Sequence, residues 1–291
     1  MLTRRVTQRL FLLRPDEITR EHFVYCFALV AERYGIEVHW LMVMSNHYHA
    51  GVRDVRGTVP EFKRDLHSLL TRSINAARGR WENMWAAEQP GTLELVGTDA
   101  VLDKVGYGLA NPCEAHLVDK VHHWPGVCSY RNMMTGTPMK ARRPWRFFDR
   151  NNEKLPDEVE LHFVRPVQFA ELSEEQWRDK VKTVLEAREA KFRQQRLERG
   201  TKLVGRKAVR RQSAFSQPRT IAERRGLNPR VASKNKWLRI EALLRNERFH
   251  QRYREAWERY QAGDRDVLFP YGTYKLHRMG HVRVEPPPMA A

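Results

Sequence analysis

The chain has 291 residues, a length that allows one large domain or one domain with an appended region. Its hydrophobic fraction of 41% is sufficient for a buried core, whereas a charged fraction of 30% and a mean hydropathy of −0.67 predict a very polar surface or tail. The net charge of +17 and the pI of about 10.1 favour a polyanionic partner, and nucleic acid is the first expectation. The alternative is a soluble basic protein without such a partner.

Cysteine content and hydropathy argue against two further classes of protein. Cys26, Cys113 and Cys128 show no C-x-x-C spacing, so they fit reduced thiols in a cytoplasmic protein better than a disulfide framework or a zinc site. The apolar run near the amino terminus is only a few residues long and is broken by Arg9 and Arg14, which is unlike a signal peptide or a membrane anchor. We therefore expect a cytoplasmic protein with no membrane partner.

The first half of the chain alternates strand patterns and helix patterns. Hydrophobic periodicity and turn residues predict, in chain order, a strand at 4–13, a helix at 18–34, two strands within 37–52 joined by a turn at Ser45-Asn46, a helix at 59–77, a short strand at 92–96 and a helix at 99–110. This order is βαββαβ followed by one more helix. It predicts an α+β fold in the ferredoxin-like split βαβ arrangement.

The second half is more strongly charged. Its patterns predict a long charged helix at 173–200, a basic stretch at 201–234, a helix at 235–262 and a basic, aromatic tail that ends rich in proline. We therefore expect a domain at 1–150, a connecting segment with the charged helix at 151–200, a basic linker at 201–235, and a helical and basic carboxy-terminal region at 236–291. The linker is expected to be mobile without a partner, because it combines a high charge with few apolar residues.

Two histidines stand at the start of the second of the paired strands. Side chains at positions i and i+2 of a strand point to the same face, so His47 and His49 project together and Tyr48 points to the other face. Two imidazoles placed in this way can share one metal ion if a third ligand comes from elsewhere. The alternative is that they form a packed or exposed pair that binds nothing.

The arrangement around this pair resembles a known signature. A strand, a Ser-Asn turn and a second strand that begins at His47-Tyr48-His49 are similar to the HUH signature (His, bulky hydrophobic residue, His) of single-strand DNA nucleases, in the form used by IS200-like and REP-associated tyrosine transposases. The resemblance implies that the pair lies on a central strand of a ferredoxin-like sheet. It also implies that Tyr48 packs away from the site.

A second motif, the run Tyr107-Gly-Leu-Ala-Asn111-Pro112, extends the resemblance. Together with Arg80-Trp-Glu-Asn, His122-His-Trp-Pro-Gly and Ser129-Tyr130, it is similar to the pattern of REP-associated transposases, and the likeness covers roughly residues 4 to 150. In that family the Tyr of Tyr-x-x-x-Asn-Pro is the nucleophile and the Asn completes the metal site. The chain departs from the pattern at Cys113 and Glu114, where an Arg commonly follows Asn-Pro-Val. Without the resemblance, a Tyr on a helix would be interpreted as a packing residue.

Tyr107 and Asn111 are four residues apart, so they share one face of a helix. A phenol has a pKa of about 10 and is a poor nucleophile unless a divalent cation polarises the phosphate. His47, His49 and the amide oxygen of Asn111 would supply three ligands, a mixed set that suits Mg²⁺ or Mn²⁺. The expected reaction is a transesterification at single-stranded or hairpin DNA near palindromic repeats, through a 5′-phosphotyrosine and a released 3′-OH.

Basic residues that could line phosphates occur in both halves of the chain. The candidates are Arg4, Arg5, Lys63, Arg64, Arg206, Lys207, Arg210, Arg211, Arg224 and Arg225. Trp81, Trp85 or Trp145 could stack on unpaired bases, and the alternative for each is a place in the core. Gly106 and Gly108 flank Tyr107 and either let that segment move or permit close packing.

Three functions follow from these patterns. The first is a cytoplasmic, nucleoid-associated transposase or nuclease that acts as a monomer or homodimer. The second is a domesticated, non-catalytic protein that binds hairpin DNA or RNA in a regulatory role. The third, an RNA-binding ferredoxin-like domain, is less favoured because no aromatic RNP-type strand is evident.

Overall fold

The computed structural model describes residues 1–220 and 229–286. The strands of this part of the chain are β1 Leu2–Arg5, β2 Ile36–Met44, β3 His47–Asp54, β4 Gly91–Thr92, β5 Glu94–Leu95, β6 Met139–Arg142, β7 Glu158–Leu161, β8 Val231–Ala232, β9 Leu268–Phe269 and β10 Arg283–Val284. Its α-helices are α1 Glu17–Tyr34, α2 Val59–Arg78, α3 Thr98–Leu109, α4 Asn111–Glu114, α5 Tyr130–Thr135, α6 Glu174–Glu198, α7 Arg206–Arg211, α8 Lys236–Gln261 and α9 Tyr274–Arg278. Short 3₁₀ helices occur at Thr7–Arg9, Val121–His123 and Val167–Phe169.

The fold is α+β and is built around a four-stranded antiparallel sheet in the order β2-β3-β1-β4. Helices α1 and α2 pack together on one face of this sheet, where Tyr48 lies against Phe23 and Phe27 at ring-centroid distances of 5.4 and 6.5 Å. Both helices end at a glycine in the left-handed region, Gly35 with φ 63° and Gly79 with φ 64°, as their sequence patterns predict. None of the helices in the described residues is long and apolar enough to span a bilayer.

A β-bulge in β2 distributes its side chains between the two faces of the sheet. Val38 pairs with Val52 and Trp40 with Gly51, so His39 is the extra residue. Val38 therefore joins the core beneath α1 and α2, whereas Trp40 joins the core on the opposite face. Without the bulge, two residues at i and i+2 would share a face, so this irregularity is what places Val38 and Trp40 in different cores.

Helices α3 and α6 cover the second face. Trp40 is 1% exposed, and its ring lies between Gly51 of β3 and Gly108 of α3. A Cβ atom at either glycine would stand 2.1 Å from the indole, so only glycine allows this approach. A Cβ at Gly106 would likewise stand 2.4 Å from Val184 of α6. The two glycines that flank Tyr107 therefore serve close packing, which was one of the two alternatives for them.

Two sequence-based strand predictions were wrong. The strand predicted at 4–13 ends at Arg5 in the structure, because Gln8 and Arg9 adopt positive φ values of 49° and 59° and turn the chain. Leu12 and Leu13 still reach the core, but from a loop. The strand predicted at 92–96 is divided: β4 pairs with β1, whereas β5 pairs in parallel with β8.

Residues after 150 contribute to the same cores. The boundary predicted at residue 150 falls within a hairpin, because β6 and β7 pair across it. Side chains on the inner face of α6 belong to the core on the second face of the sheet; they are Trp177, Val181, Leu185 and Phe192.

The basic linker predicted at 201–235 is anchored where the structure describes it. Val209 of α7 is 0% exposed and lies in the second core, and Ala214 lies in the first. Backbone hydrogen bonds from Val204 to His116 and from Phe11 to Ser216, of 3.1 and 2.9 Å, fix its two ends. In the structure, residues 201–220 of the linker that was expected to be mobile therefore pack against both cores.

Candidate active site

His47 and His49 lie on β3, an inner strand that pairs with β2 on one side and with β1 on the other. The two imidazoles share the face covered by α3, and their ring centroids are 4.9 Å apart. His47 is held by a 2.7 Å hydrogen bond between its Nδ1 and Oδ1 of Asn46, in the turn that precedes the strand. Strand geometry and this turn therefore fix the pair on one side of the sheet.

Burial keeps both imidazoles uncharged at neutral pH. It lowers the pKa of His47 to about 4, an effect that a hydrogen bond with Asn111 partly opposes and the charge of Arg5 reinforces. His47 is half-buried as a residue, whereas His49 is only 6% exposed. Burial is the main reason that the pKa of His49 lies well below its usual value. Electrostatic repulsion, first from His47 when that ring is protonated and then from Lys104, lowers the pKa of His49 further. Neutral imidazole is the form that binds a metal.

Tyr107 and Asn111 approach this pair from α3 and from the short helix that follows it. The rings of Tyr107 and His49 have centroids 5.5 Å apart, and Nδ2 of Asn111 lies 3.5 Å from Nε2 of His49. The helix predicted at 99–110 ends at Leu109, and Asn111 begins α4 after a turn at Ala110. The four side chains that the sequence singled out therefore lie in one cluster, although His49 and Asn111 are 62 positions apart.

Two neutral imidazoles and a side-chain amide are donor groups that could together hold a divalent cation. In the described residues no group of three or more His, Cys, Asp or Glu side chains is placed to hold a metal ion, so a cation bound by His47 and His49 would need a third ligand of another type, such as the Asn111 amide oxygen. The ring nitrogen of His49 that faces Asn111 is Nε2, so an ion shared with Asn111 would be bound there; Nδ1, on the other side of the ring, is buried without a hydrogen-bond partner. The amide nitrogen of Asn111 faces His49, so ligation through its oxygen requires rotation about the terminal bond.

The other face of β3 is stabilised by a buried polar cluster. The hydroxyl of Tyr48 lies 2.8 Å from Nε2 of His67, and Nε1 of Trp85 donates a 3.0 Å hydrogen bond to the backbone oxygen of His67. Burial lowers the pKa of His67 to about 3, so its ring is neutral and Nε2 can accept a hydrogen bond from the Tyr48 hydroxyl. Tyr48 packs away from the histidine pair, as expected, and helps to fix the strand that carries it.

The basic candidates of the first half of the chain lie on both faces of the sheet. Arg5 pairs with His47 across β1 and β3 and lies on the side of the site, where it also contacts Glu88 at 3.1 Å. Arg4 lies opposite Tyr48 and binds the backbone oxygens of residues 86 and 88, and Nζ of Lys63 binds Thr92 at 2.8 Å. Arg64 pairs with Asp65 at 2.7 Å on α2.

The remaining basic candidates belong to the linker. Four of them, Arg206, Lys207, Arg210 and Arg211, are exposed on α7. Arg224 and Arg225 lie outside the described residues. Of the three tryptophans considered for base stacking, Trp85 is buried at 8% exposure, whereas Trp81 and Trp145 are 90% and 60% exposed.

Two residues beside the site were not singled out by the sequence. Asn46 orients His47, and Nζ of Lys104 lies 5.0 Å from the centroid of the Tyr107 ring. Lys104 precedes Tyr107 by three positions, and this helical spacing was the available signal. Comparison of the chain with protein-family models, with curated proteins and with solved structures gives no match.

Proposed function

We propose that this protein is a metal-dependent single-strand DNA endonuclease and strand transferase that cleaves near hairpin or palindromic elements through a 5′-phosphotyrosine. The observation that carries the proposal is the contact of His49 with both Tyr107 and Asn111, at 5.5 Å between ring centroids and 3.5 Å between side-chain nitrogens. This cluster contains a potential nucleophile beside two neutral imidazoles and an amide.

The sheet order supports the further proposal of a ferredoxin-like HUH domain. Numbered along the chain, the antiparallel strands lie in the order 4-1-3-2, and α1 and α2 connect them on one face. That order is what a βαββαβ chain gives when each helix crosses back over the sheet. The position of α3 on the opposite face would then bring the nucleophile to the histidine pair.

The proposed reaction is one transesterification, in which a phosphate ester of DNA is exchanged for a phosphate ester of Tyr107. A bond forms between phosphorus and Oη of Tyr107 as the bond to the 3′-oxygen breaks; the phenol loses a proton and the released 3′-oxygen gains one. His47, His49 and Asn111 would hold Mg²⁺ or Mn²⁺, which when bound supplies charge to polarise the phosphate. Helix α3 positions the phenol, and the buried strand β3 fixes the imidazoles. Attack of a 3′-OH on the phosphotyrosine reverses the step without hydrolysis of a nucleotide.

The test is adduct formation with hairpin oligonucleotides taken from palindromic repeats that flank the gene, in the presence of Mg²⁺ or Mn²⁺. Wild-type protein is expected to form a covalent adduct, visible as a shifted band in a denaturing gel, with the modification at Tyr107 by mass spectrometry. Tyr107→Phe is expected to abolish it, and Tyr271→Phe, which alters an exposed tyrosine elsewhere, is expected to leave it unchanged.

The outcome that contradicts the proposal is tight hairpin binding without cleavage. If the His47→Ala plus His49→Ala variant binds hairpins as well as the wild type does, and neither forms an adduct, the protein is a non-catalytic binding module. Retention of the adduct in Tyr107→Phe would instead assign the nucleophile to another residue.

A further inference from the structure

A cleft of about 230 Å³ opens beside the Tyr107 helix and is shared with the carboxy-terminal region. Its walls include Ala100, Asp103 and Lys104 from α3, together with Ser233, Lys234 and Arg239 from the segment around β8 and the first turn of α8. Residues more than a hundred positions apart therefore build one concave surface next to the candidate active site.

Pairing between two short strands builds this cleft. Strands β5 and β8 lie in parallel, and backbone nitrogens of Glu94 and Val96 donate hydrogen bonds of 2.8 and 2.9 Å to the carbonyls of Arg230 and Ala232. Asn235 then caps α8 by accepting from the backbone nitrogens of its first turn. The strand pair and the cap fix the chain on both sides of Lys234.

The cleft carries an excess of positive charge. Lys104, Lys234 and Arg239 face a single carboxylate, Asp103. That carboxylate is already occupied, because Arg188 contacts it at 2.7 Å and Lys104 at 3.5 Å. With the hydroxyl of Ser233, the lining offers hydrogen-bond donors and cations suited to phosphate oxygens.

One face of α3 connects the cleft with the candidate nucleophile. Ala100, Lys104 and Tyr107 are spaced by four and three positions, so they follow one another along the same side of the helix. Lys104 contributes to both places: it lines the cleft, and its Nζ lies 5.0 Å from the centroid of the Tyr107 ring. An anionic chain in the cleft would therefore lead to the phenol.

An aromatic side chain accompanies these cations. Trp237 is 74% exposed, although exposure of so large an apolar ring to water is unfavourable. It does not line the cleft, since residues two positions apart on a helix point to different sides, but it belongs to the same first turn of α8 as Arg239, around which a strand leaving the cleft could pass. Nζ of Lys236 is 5.9 Å from the centroid of the Trp237 ring. Cations that follow the backbone beside an exposed ring on which a base can stack are the combination used to bind single strands.

We infer that this cleft binds the phosphodiester backbone of the unpaired DNA strand next to the cleaved phosphate, and that a base of that strand stacks on Trp237. The inference rests on the proposed function and adds to it the path of one strand. The carboxy-terminal region then has a part in the active site, because it supplies Lys234 and Arg239 to a strand-binding surface that α3 forms only in part.

The test compares hairpin oligonucleotides with and without a single-stranded tail, by fluorescence anisotropy at several salt concentrations. Lys234→Ala plus Arg239→Ala is expected to weaken binding of the tailed hairpin about tenfold and to reduce its salt slope by about 1.4, since each contact to a single strand contributes about 0.7. Binding of the hairpin without a tail is expected to stay unchanged. Lys180→Ala plus Lys182→Ala removes the same charge from exposed positions of α6 and is expected to have little effect.

A second measurement locates the strand. A tail that contains 5-iodouracil is expected to crosslink on irradiation to the peptide with Trp237, and the crosslink is expected to be lost in Trp237→Ala.

Adduct formation at Tyr107 by the wild type, with tail binding equal in the cleft variant and the α6 control, would overturn the cleft and leave the cleavage proposal standing. Cleft-dependent tail binding without any adduct would overturn cleavage and leave strand binding standing. Displacement of the tail by free inorganic phosphate would instead make the cleft a small-anion site.

Discussion

Asp16 is a single residue that links two helices. Its Oδ1 accepts a 2.9 Å hydrogen bond from the backbone nitrogen of Thr19 and so caps α1, while Arg78, in the last turn of α2, contacts the carboxylate twice at 3.0 Å. Arg14 adds a third cationic contact at 2.7 Å. The side chains of Arg78 and Asp16 are 6% and 16% exposed, so this ion pair is little screened by solvent.

Asp16→Asn is expected to lower the free energy of unfolding by about 3 kcal/mol at pH 7, because it leaves the buried Arg78 without its carboxylate. Burial alone would raise the pKa of Asp16, but the hydrogen bonds and charge of Arg78, with those of Thr19 and Arg14, hold it below its usual value. The contribution is therefore complete above pH 4 and is lost as the pH falls through the lowered pKa. Chemical denaturation at pH 7 and at pH 3 measures both effects, and the difference between variant and wild type should shrink in acid. Glu158→Gln, in an exposed ion pair with Arg142, is the control and should change stability little.

At the scale of elements, the position of α3 on the sheet depends on contact between one indole and two glycines. The benzo edge of Trp40 meets Gly108 from below, and its pyrrole edge meets Gly51. Because Gly108 follows Tyr107 directly, the depth of this contact sets how closely the phenol approaches β3. The bulge at His39 contributes to this contact, because it turns Trp40 toward α3.

Gly108→Ala is expected to destabilise the protein by about 1–3 kcal/mol through overpacking, although alanine favours a helix by about 1 kcal/mol over glycine. The added Cβ would stand 2.1 Å from the Trp40 ring, which is 1% exposed and has no space to move into. Thermal unfolding measures the loss. Trp40→Phe shortens the ring, so the double variant should be more stable than the sum of the two single changes predicts. Additive effects would show that the two side chains do not conflict.

The elements that sequence reasoning located well carry local signals. Helices α1 and α2 have apolar stripes and terminal glycines, and their predicted bounds agree with the structure to within one residue. The strand predicted at 4–13 failed because Gln8 and Arg9 take positive φ values without a glycine to indicate it. The pairing of β5 with β8 could not be predicted, because its partner lies more than a hundred residues away. The site residues belong to local motifs, and Lys104 could have been found from its helical spacing to Tyr107, whereas the cleft depends on this distant pairing.

At the scale of the whole molecule, basic residues and buried core residues occur together in the same segment of the chain. The stretch 201–220 looks like a solvated linker by composition, yet it crosses from one core to the other through Val209 and Ala214. Arg14 also binds the backbone oxygen of Gln212 at 2.6 Å, beside the ion pair with Asp16. The helix that carries the exposed basic side chains of α7 is therefore anchored to the folded unit, which would lower the backbone entropy lost if they bound a polyanion.

Val209→Ala tests whether this basic segment is part of the folded unit. Val209 is 0% exposed within the second core, so removal of its two methyl groups is expected to cost about 1–3 kcal/mol, the transfer free energy plus the cavity that remains. Val204→Ala, at a position 41% exposed in the same segment, should change stability by less than about 0.5 kcal/mol. Denaturant unfolding followed by tryptophan fluorescence compares the two. Equal, small effects would mean that 201–220 detaches from the core in solution and that α7 is not held against it.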